Sequence, residues 1–361
     1  MARLIEPGIA AAIARRVAGT PAGASTELLD DLHASLARAV PRSEELVEAA
    51  SGIPAPPPVR WAVVDRGSWA EANIAGMSAL LDPLVRRVAD RLAKVPLPVR
   101  LAQRGLVSAE VGLLLGYVSR RVLGQYDLLV PETPSGPTRR GRRSSIAPGT
   151  TLYFVGPNMV ETARRHDFVP DEFALWVALH EVTHRFQFAG VPWLRPRFFG
   201  LVEEYLGSLD VDARGLASRL AGAAREVRAR SLPPDQRHPM FLLATPAQRA
   251  TLERLQAMMT VVEGHGNFVM DLVGARVIPS FQRMRRTFER RRQQPGPVQS
   301  AFNHLIGLEM KLRQYEVGQR FCEEVFRRGG GGAVARLWSS PDELPTLAEL
   351  REPESWLRRV A

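Results

Sequence analysis

Apolar residues recur every three or four positions along most of the chain, and that period predicts helices. From Glu27 to Ala50, Leu28, Leu29, Leu32, Leu36 and Val40 fall on one face, and PAPPP (Pro54–Pro58) ends the run. Trp69–Leu92 is a second amphipathic stretch, with Ile74, Met77, Leu80, Leu81, Leu84 and Val85 at helical spacing. Val107–Leu123 is a third, and its Gly112 and Gly116 are spaced to let another helix approach closely. The pattern then changes. Tyr126–Val130 (YDLLV) and Thr151–Val155 (TLYFV) are short β-type runs, predicted to pair as a hairpin with a long tip. Helix returns at Asn158–Arg165. It continues in an apolar stretch opened by Pro170 and Asp171, where Asp171 can cap the helix or oppose its dipole. Beyond Gly190, PWLRPRFFG turns the chain. Leu201–Arg230 reads as helix and SLPPDQRHP as loop. Pro246–Leu272, Gln282–Arg328 and Leu347–Val360 are again helical, the last two separated by Gly329–Gly332. The expected fold class is mainly α with a small β-sheet or hairpin. The length suits one large domain, with a helical part over 1–125 and the remainder over 126–361.

The chemistry lies in Trp176–Phe188, WVALHEVTHRFQF, which carries His180, Glu181 and His184 in the order H-E-x-x-H. Residues four apart share a helix face, so His180 and His184 can point two imidazoles at one ion. Glu181 is about 100° further round, within reach of a water on that ion. This is a zinc-peptidase arrangement: imidazoles hold the metal, the metal acidifies a water, and the glutamate takes its proton. The flanks are apolar, so the segment reads as a buried helix. Two histidines and a glutamate inside it are costly unless paired or bound. The plainer reading is a pair of hydrogen-bonded core histidines.

A catalytic zinc takes three protein ligands and keeps a place for water. Glu263, His265 and Asp271 sit in one helical segment, TVVEGHGNFVMD. Glu263 and Asp271 share a face, whereas His265 is about 200° away from Glu263. Glu263 is the favoured third ligand and His265 the alternative. Asn267 and Asp271, one and two turns on, could orient His180 or His184 through the free ring nitrogen. Gly264 and Gly266 weaken the helix, consistent with a tight approach to the metal helix or a kink.

Composition changes the picture little. The lone Cys322 excludes an intrachain disulfide and a cysteine zinc cluster. No run of about 20 apolar residues suggests a membrane span. The N-terminus has early charges and no long apolar region, so it reads as a first helix rather than a signal peptide, and the expected location is the cytoplasm. The net charge of +10 raises nucleic acid as a partner. Only Lys94 and Lys311 are lysines, however, and most arginines are spread along helices, a bias that reads as a GC-rich coding habit. The one dense cluster, Arg139, Arg140, Arg142 and Arg143, lies in a Pro/Gly/Ser-rich loop, where a solvated loop is the plainer reading.

Several blocks together resemble a known family. They are GYVSRRVLGQYDLLVP (Gly116–Pro131), LYFVGPN (Leu152–Asn158), WVALHEVTHRFQF, PWLR (Pro192–Arg195), VVEGHGNFVMD (Val261–Asp271), GLEMKLRQYEVGQRFC (Gly307–Cys322) and LWSSPDELPTLAEL (Leu337–Leu350). Over nearly its whole length the chain resembles the zincin-like hydrolases, or zinc-dependent metalloproteases, found widely in actinobacteria. One branch of them is labelled "coenzyme F-420 biosynthesis-associated protein". The resemblance implies a mostly helical zincin-like fold and one zinc ion on His180, His184 and Glu263, with Glu181 as base. That site looks like a gluzincin's. It departs in the long separation of His184 from Glu263, and in Asn267 where an aspartate is usual. No flavin-binding motif is visible.

The expected function is zinc-dependent hydrolysis of a peptide or protein. Tyr315 and Arg313, in KLRQYE, are the candidates to stabilise the developing oxyanion. For Tyr315 the plainer reading is a core tyrosine. A catalytically weak or inactive zincin-fold binding or scaffold protein is the alternative, and a nucleic-acid-associated factor a third reading.

Overall fold

Three short runs, two of them rich in β-branched and aromatic residues, form a sheet, and most of the remaining described chain is helix. The computed structural model describes residues 4–20, 23–93, 96–129, 150–209, 244–293 and 308–361. Strands β1 (Arg60–Val64), β2 (Gly124–Tyr126) and β3 (Thr150–Val155) lie in the order β1-β3-β2. β3 is central, parallel to β1 and antiparallel to β2. The expected pairing of the two β-type runs is present, but β2 starts earlier and ends at Tyr126. Asp127 ends it, because its Oδ1 accepts the Leu129 N–H at 2.9 Å and turns the chain. The tip, with Arg139–Arg143, lies outside the described residues.

The helices are α1 (Pro7–Ala18), α2 (Thr26–Ser51), α3 (Arg66–Ala93), α4 (Leu97–Ser119), α5 (Gly156–His166), α6 (Pro170–Gly190) and α7 (Leu194–Ser208). They continue as α8 (Pro246–Val277), α9 (Phe281–Gln293), α10 (Leu308–Ala335), α11 (Leu347–Arg351) and α12 (Pro353–Val360). The expected Leu201–Arg230 helix is seen as far as Ser208; 210–243 lies outside the described residues. The Gly329–Gly332 run does not end in loop. Helix continues on both sides of a break at Gly330, whose φ of 68° only glycine adopts readily. No described helix is long and apolar enough to cross a membrane.

Two compact units divide the chain. The first comprises Met1–Leu46, Ala55–Arg185 and Val277–Met284, and the second Val47–Pro54, Phe186–Arg276 and Arg285–Ala361. In the first, Tyr153 and Val155 of β3 pack with Ile5, Ala10, Ala14, Trp69 and Ile74. The fully buried positions of α4 are all small, Ser108, Gly112, Gly116 and Ser119, with Val107, Val111, Leu115 and Val118 packed partly buried against the same core. A Cβ on Gly112 would sit 2.6 Å from the Ala10 carbonyl oxygen, and one on Gly116 2.7 Å from that of Ala14. The two glycines therefore set the α1–α4 distance, as their spacing suggested. Buried Asn158 fastens the next turn of chain: its amide donates to the Ser119 and Val122 carbonyls at 2.7 and 2.6 Å, while Arg66 Nε donates to its Oδ1 at 2.6 Å. That holds the end of α4 and the lead into β2.

In the second unit, α8 and α10 cross at a pair of glycines. A Cβ on Gly264 would overlap the backbone of Gly318, and one on Gly318 would overlap the Thr260 carbonyl oxygen. The close approach of Gly264 expected toward the metal helix is thus made toward α10, because only two glycines face to face allow backbones this near. Backbone atoms cannot swing aside. Gly318→Ala is expected to lower stability by on the order of 1–3 kcal/mol by overpacking. This outweighs the roughly 1 kcal/mol that alanine contributes to helix propensity. Urea unfolding of both proteins measures the difference; an unchanged or raised midpoint would refute the crossing.

Candidate metal centre

Helix α6 is apolar on almost every face. Phe173, Ala174, Val177, Ala178, Leu179, Val182 and Phe186 are all buried, which explains why a helix rather than a strand forms from so long an apolar run. Its start is tied down by Asp171, whose Oδ1 accepts from Ser35 Oγ and Arg38 of α2. Those two contacts, Ser35 first, hold the Asp171 carboxyl below its ordinary range. Each buried polar residue of the motif has a partner. Thr183 donates to the Leu179 carbonyl at 2.7 Å. Arg185 is fully buried and donates to Glu44 at 2.8 Å and to the Pro57 carbonyl. Gln187 donates to the Val262 carbonyl at 2.9 Å and meets His265 Nδ1 at 3.0 Å.

His180 and His184 converge. Their Nε2 atoms lie 3.2 Å apart with the rings nearly perpendicular. One ligand atom from each, with a carboxylate oxygen of Glu263 on α8, forms a group within 4.8 Å of one another. The imidazoles are half-buried and Glu263 is buried. The donor set suits zinc, since two nitrogens on one tetrahedral zinc at about 2.05 Å stand about 3.3 Å apart. Glu181, also buried, accepts the backbone N–H of Tyr126 on its Oε2 at 3.1 Å.

The remaining candidates are placed differently. His265 is not in the group. Its ring is fully buried, edge-on to Trp338 with centroids 4.9 Å apart, and held at Nδ1 by Gln187. Asp271 does not orient an imidazole. It pairs with Arg285 at 2.7 Å and accepts from Gln319 at 2.8 Å, joining α8 to α9 and α10. The reason is distance along the helix: eight residues past Glu263, about 12 Å further on, it meets the neighbouring helices of its own unit. Asn267 is half-buried and its amide nitrogen donates to no protein group. The side chains of Arg313 and Tyr315 on α10 lie outside the described ones.

Sequence reasoning missed Gly124. A Cβ there would meet Glu181 Cγ at 2.6 Å and its Cδ and Oε1 at 3.0 Å. The available signal was a glycine at the head of a β-type run, which marks close approach of another group.

A mostly helical chain with a small sheet and a His-His-Glu group defines a protein of the zincin-like class. The family model for zincin-like metallopeptidases matches residues 5–357, and the chain belongs to that family. It is similar to a crystal structure from Chloroflexus aurantiacus described as a "putative hydrolase with a novel fold". The two are 31% identical, 98% of each chain is covered, and the TM-score is 0.70. No curated protein matches the chain.

Asp271 yields a pH prediction. Burial first of all pushes its carboxyl up to about 6; Arg285 opposes this and Glu323 adds to it. An acid with a raised folded-state pKa makes the native state bind more protons than the unfolded chain. Its contribution to stability is therefore complete below about pH 4 and lost as pH rises through about 6. Asp271→Asn should flatten the fall in stability between about pH 4 and 6, a change on the order of 2 kcal/mol. Denaturant midpoints across that range check it; an unaltered slope would assign the pH dependence elsewhere.

Proposed function

We propose that the protein is a zinc-dependent peptidase. One observation carries the reading: two imidazole nitrogens and a carboxylate oxygen converge beside a buried glutamate in the H-E-x-x-H order. His180, His184 and Glu263 would hold the ion. When bound, zinc polarises a carbonyl group and makes water more acidic. The chain's own acid–base group is Glu181. Its carboxylate takes a proton from the attacking water and returns it to the amine that leaves. The water's oxygen ends on the carbonyl carbon, the C–N bond breaks, and Glu181 is regenerated.

The 3.2 Å spacing of the two Nε2 atoms also permits one N–H···N bond between the rings, so metal content decides. Mass spectrometry of the natively purified protein should find about one zinc per chain. His184→Ala and Glu263→Ala should lose it, and His265→Ala should keep it. Zinc retained in Glu263→Ala would remove Glu263 from the ligand set. Absence of zinc from the native protein after metal is supplied would overturn the whole reading. Glu181→Gln should retain zinc and lose cleavage of a peptide library by about 100-fold or more.

A further inference from the structure

Strand β2 carries out a task that its pairing with β3 does not use. Val155 N donates to the Leu123 carbonyl at 2.9 Å and Asp127 N to that of Thr151 at 2.7 Å. In an antiparallel ladder, paired and unpaired positions alternate. Gly124 and Tyr126, opposite Phe154 and Leu152, are therefore the positions whose backbone groups point away from β3. The outward N–H of Tyr126 is the one that meets Glu181 Oε2 at 3.1 Å. Glu181 also fills the place of a side chain on Gly124: its Cγ, Cδ and Oε1 lie within 3.0 Å of where a Cβ would stand. One short strand thus meets both carboxylate oxygens: an amide donates to one, and a missing side chain leaves room for the other.

We propose that Gly124 and the Tyr126 amide are positioning groups that fix the carboxylate of Glu181 against the strand edge. The inference rests on Glu181 being the base of the proposed peptidase. The physical reason is rotamer freedom. A glutamate side chain has three torsions, and a base works only within a narrow geometry. A backbone amide in a sheet is a rigid donor, and a donor anchored in a strand moves less than one on a side chain. The bond also satisfies a carboxylate that is almost wholly removed from water, which is costly to leave unmade. Glycine at 124 is then required by space. Alanine would press on the flexible end of Glu181 rather than on backbone, so the fold would survive and the carboxylate would shift.

The test starts with the amide itself. The chain has five tyrosines, so selective ¹⁵N-tyrosine labelling of the full protein gives five backbone resonances. Tyr126→Phe identifies the one belonging to Tyr126. Its hydrogen exchange should be slow in the wild type and in Glu181→Gln, whose side-chain carbonyl still accepts, and at least about tenfold faster in Glu181→Ala. Equal rates in wild type and Glu181→Ala would overturn the proposal, whatever the activity. Gly124→Ala should keep zinc stoichiometry and KM while kcat falls by up to about 100-fold, the cost of a carboxylate displaced by about an ångström. An unchanged kcat in that variant would also overturn it. If the wild type cleaves nothing, the peptidase reading fails, and the exchange rates still decide whether the strand edge holds Glu181.

Discussion

Carrying polar groups along a helix that has almost no exposed face is the constraint on which the rest of the structure depends. α6 buries Phe173, Val177, Leu179, Val182 and Phe186, yet between them it holds a glutamate, a threonine, an arginine and a glutamine that are all buried. Each would cost several kcal/mol if left unpaired. Their partners come from different parts of the chain. Glu44 and the Pro57 carbonyl meet Arg185, the Tyr126 amide meets Glu181, and the Val262 carbonyl and His265 meet Gln187. The string HEVTHRFQ is therefore as much a set of cross-ties as a chemical motif. Asp271 is committed instead to Arg285 and Gln319, and His265 to Gln187. A buried arginine beside His184 also keeps that turn of helix from drifting, since moving it would unpair Arg185.

Glycine does the complementary work of letting backbones and side chains approach. Gly112 and Gly116 admit α1, Gly264 and Gly318 admit each other's helices, and Gly124 admits Glu181. The first four accept backbone, which cannot yield, so a methyl group there acts on stability. The fifth accepts the end of a side chain, which can yield, so a methyl group there acts on the position of one carboxylate. The neighbouring atom, rather than the glycine, decides whether a substitution is read out in folding or in chemistry.

Much of the fold is legible in sequence where a period is long enough to count. The helices over 26–51 and 66–93 are carried by repeats of three and four over several turns, and the helix over 170–190, which holds the H-E-x-x-H residues, by a long apolar run. Short elements are less readable. RWAVV forms β1 only because β3 lies beside it, and five residues carry too little pattern to distinguish strand from loop. YDLLV looks like a strand from Tyr126 onward, but Asp127 spends its side chain on the Leu129 N–H and the strand lies before it instead. Gly264 is legible as a site of close approach but not as to its partner, because the partner is Gly318, more than fifty residues away. At the candidate site, the spacing of His180 and His184 is local and readable. The convergence of Glu263 on them depends on tertiary packing, which one sequence does not contain.

The arginines make the same point about charge. A net charge of +10 reads as a footprint for an anionic partner when basic residues are exposed and clustered. Several here are structural instead. Arg66 is buried against Asn158 and Glu161, Arg185 is buried against Glu44, and Arg285 bridges Asp271 and Glu289. Arg359 gathers Glu349 with the carbonyls of Asp342 and Leu344, closing the C-terminal turns. The guanidinium suits this use, since its fixed fork can satisfy a carboxylate and a carbonyl at once and it keeps its charge when partly buried. A lysine would meet fewer of those acceptors. The arginine content therefore serves the interior as well as the surface, and the number of arginines overstates what is left for a polyanion to bind.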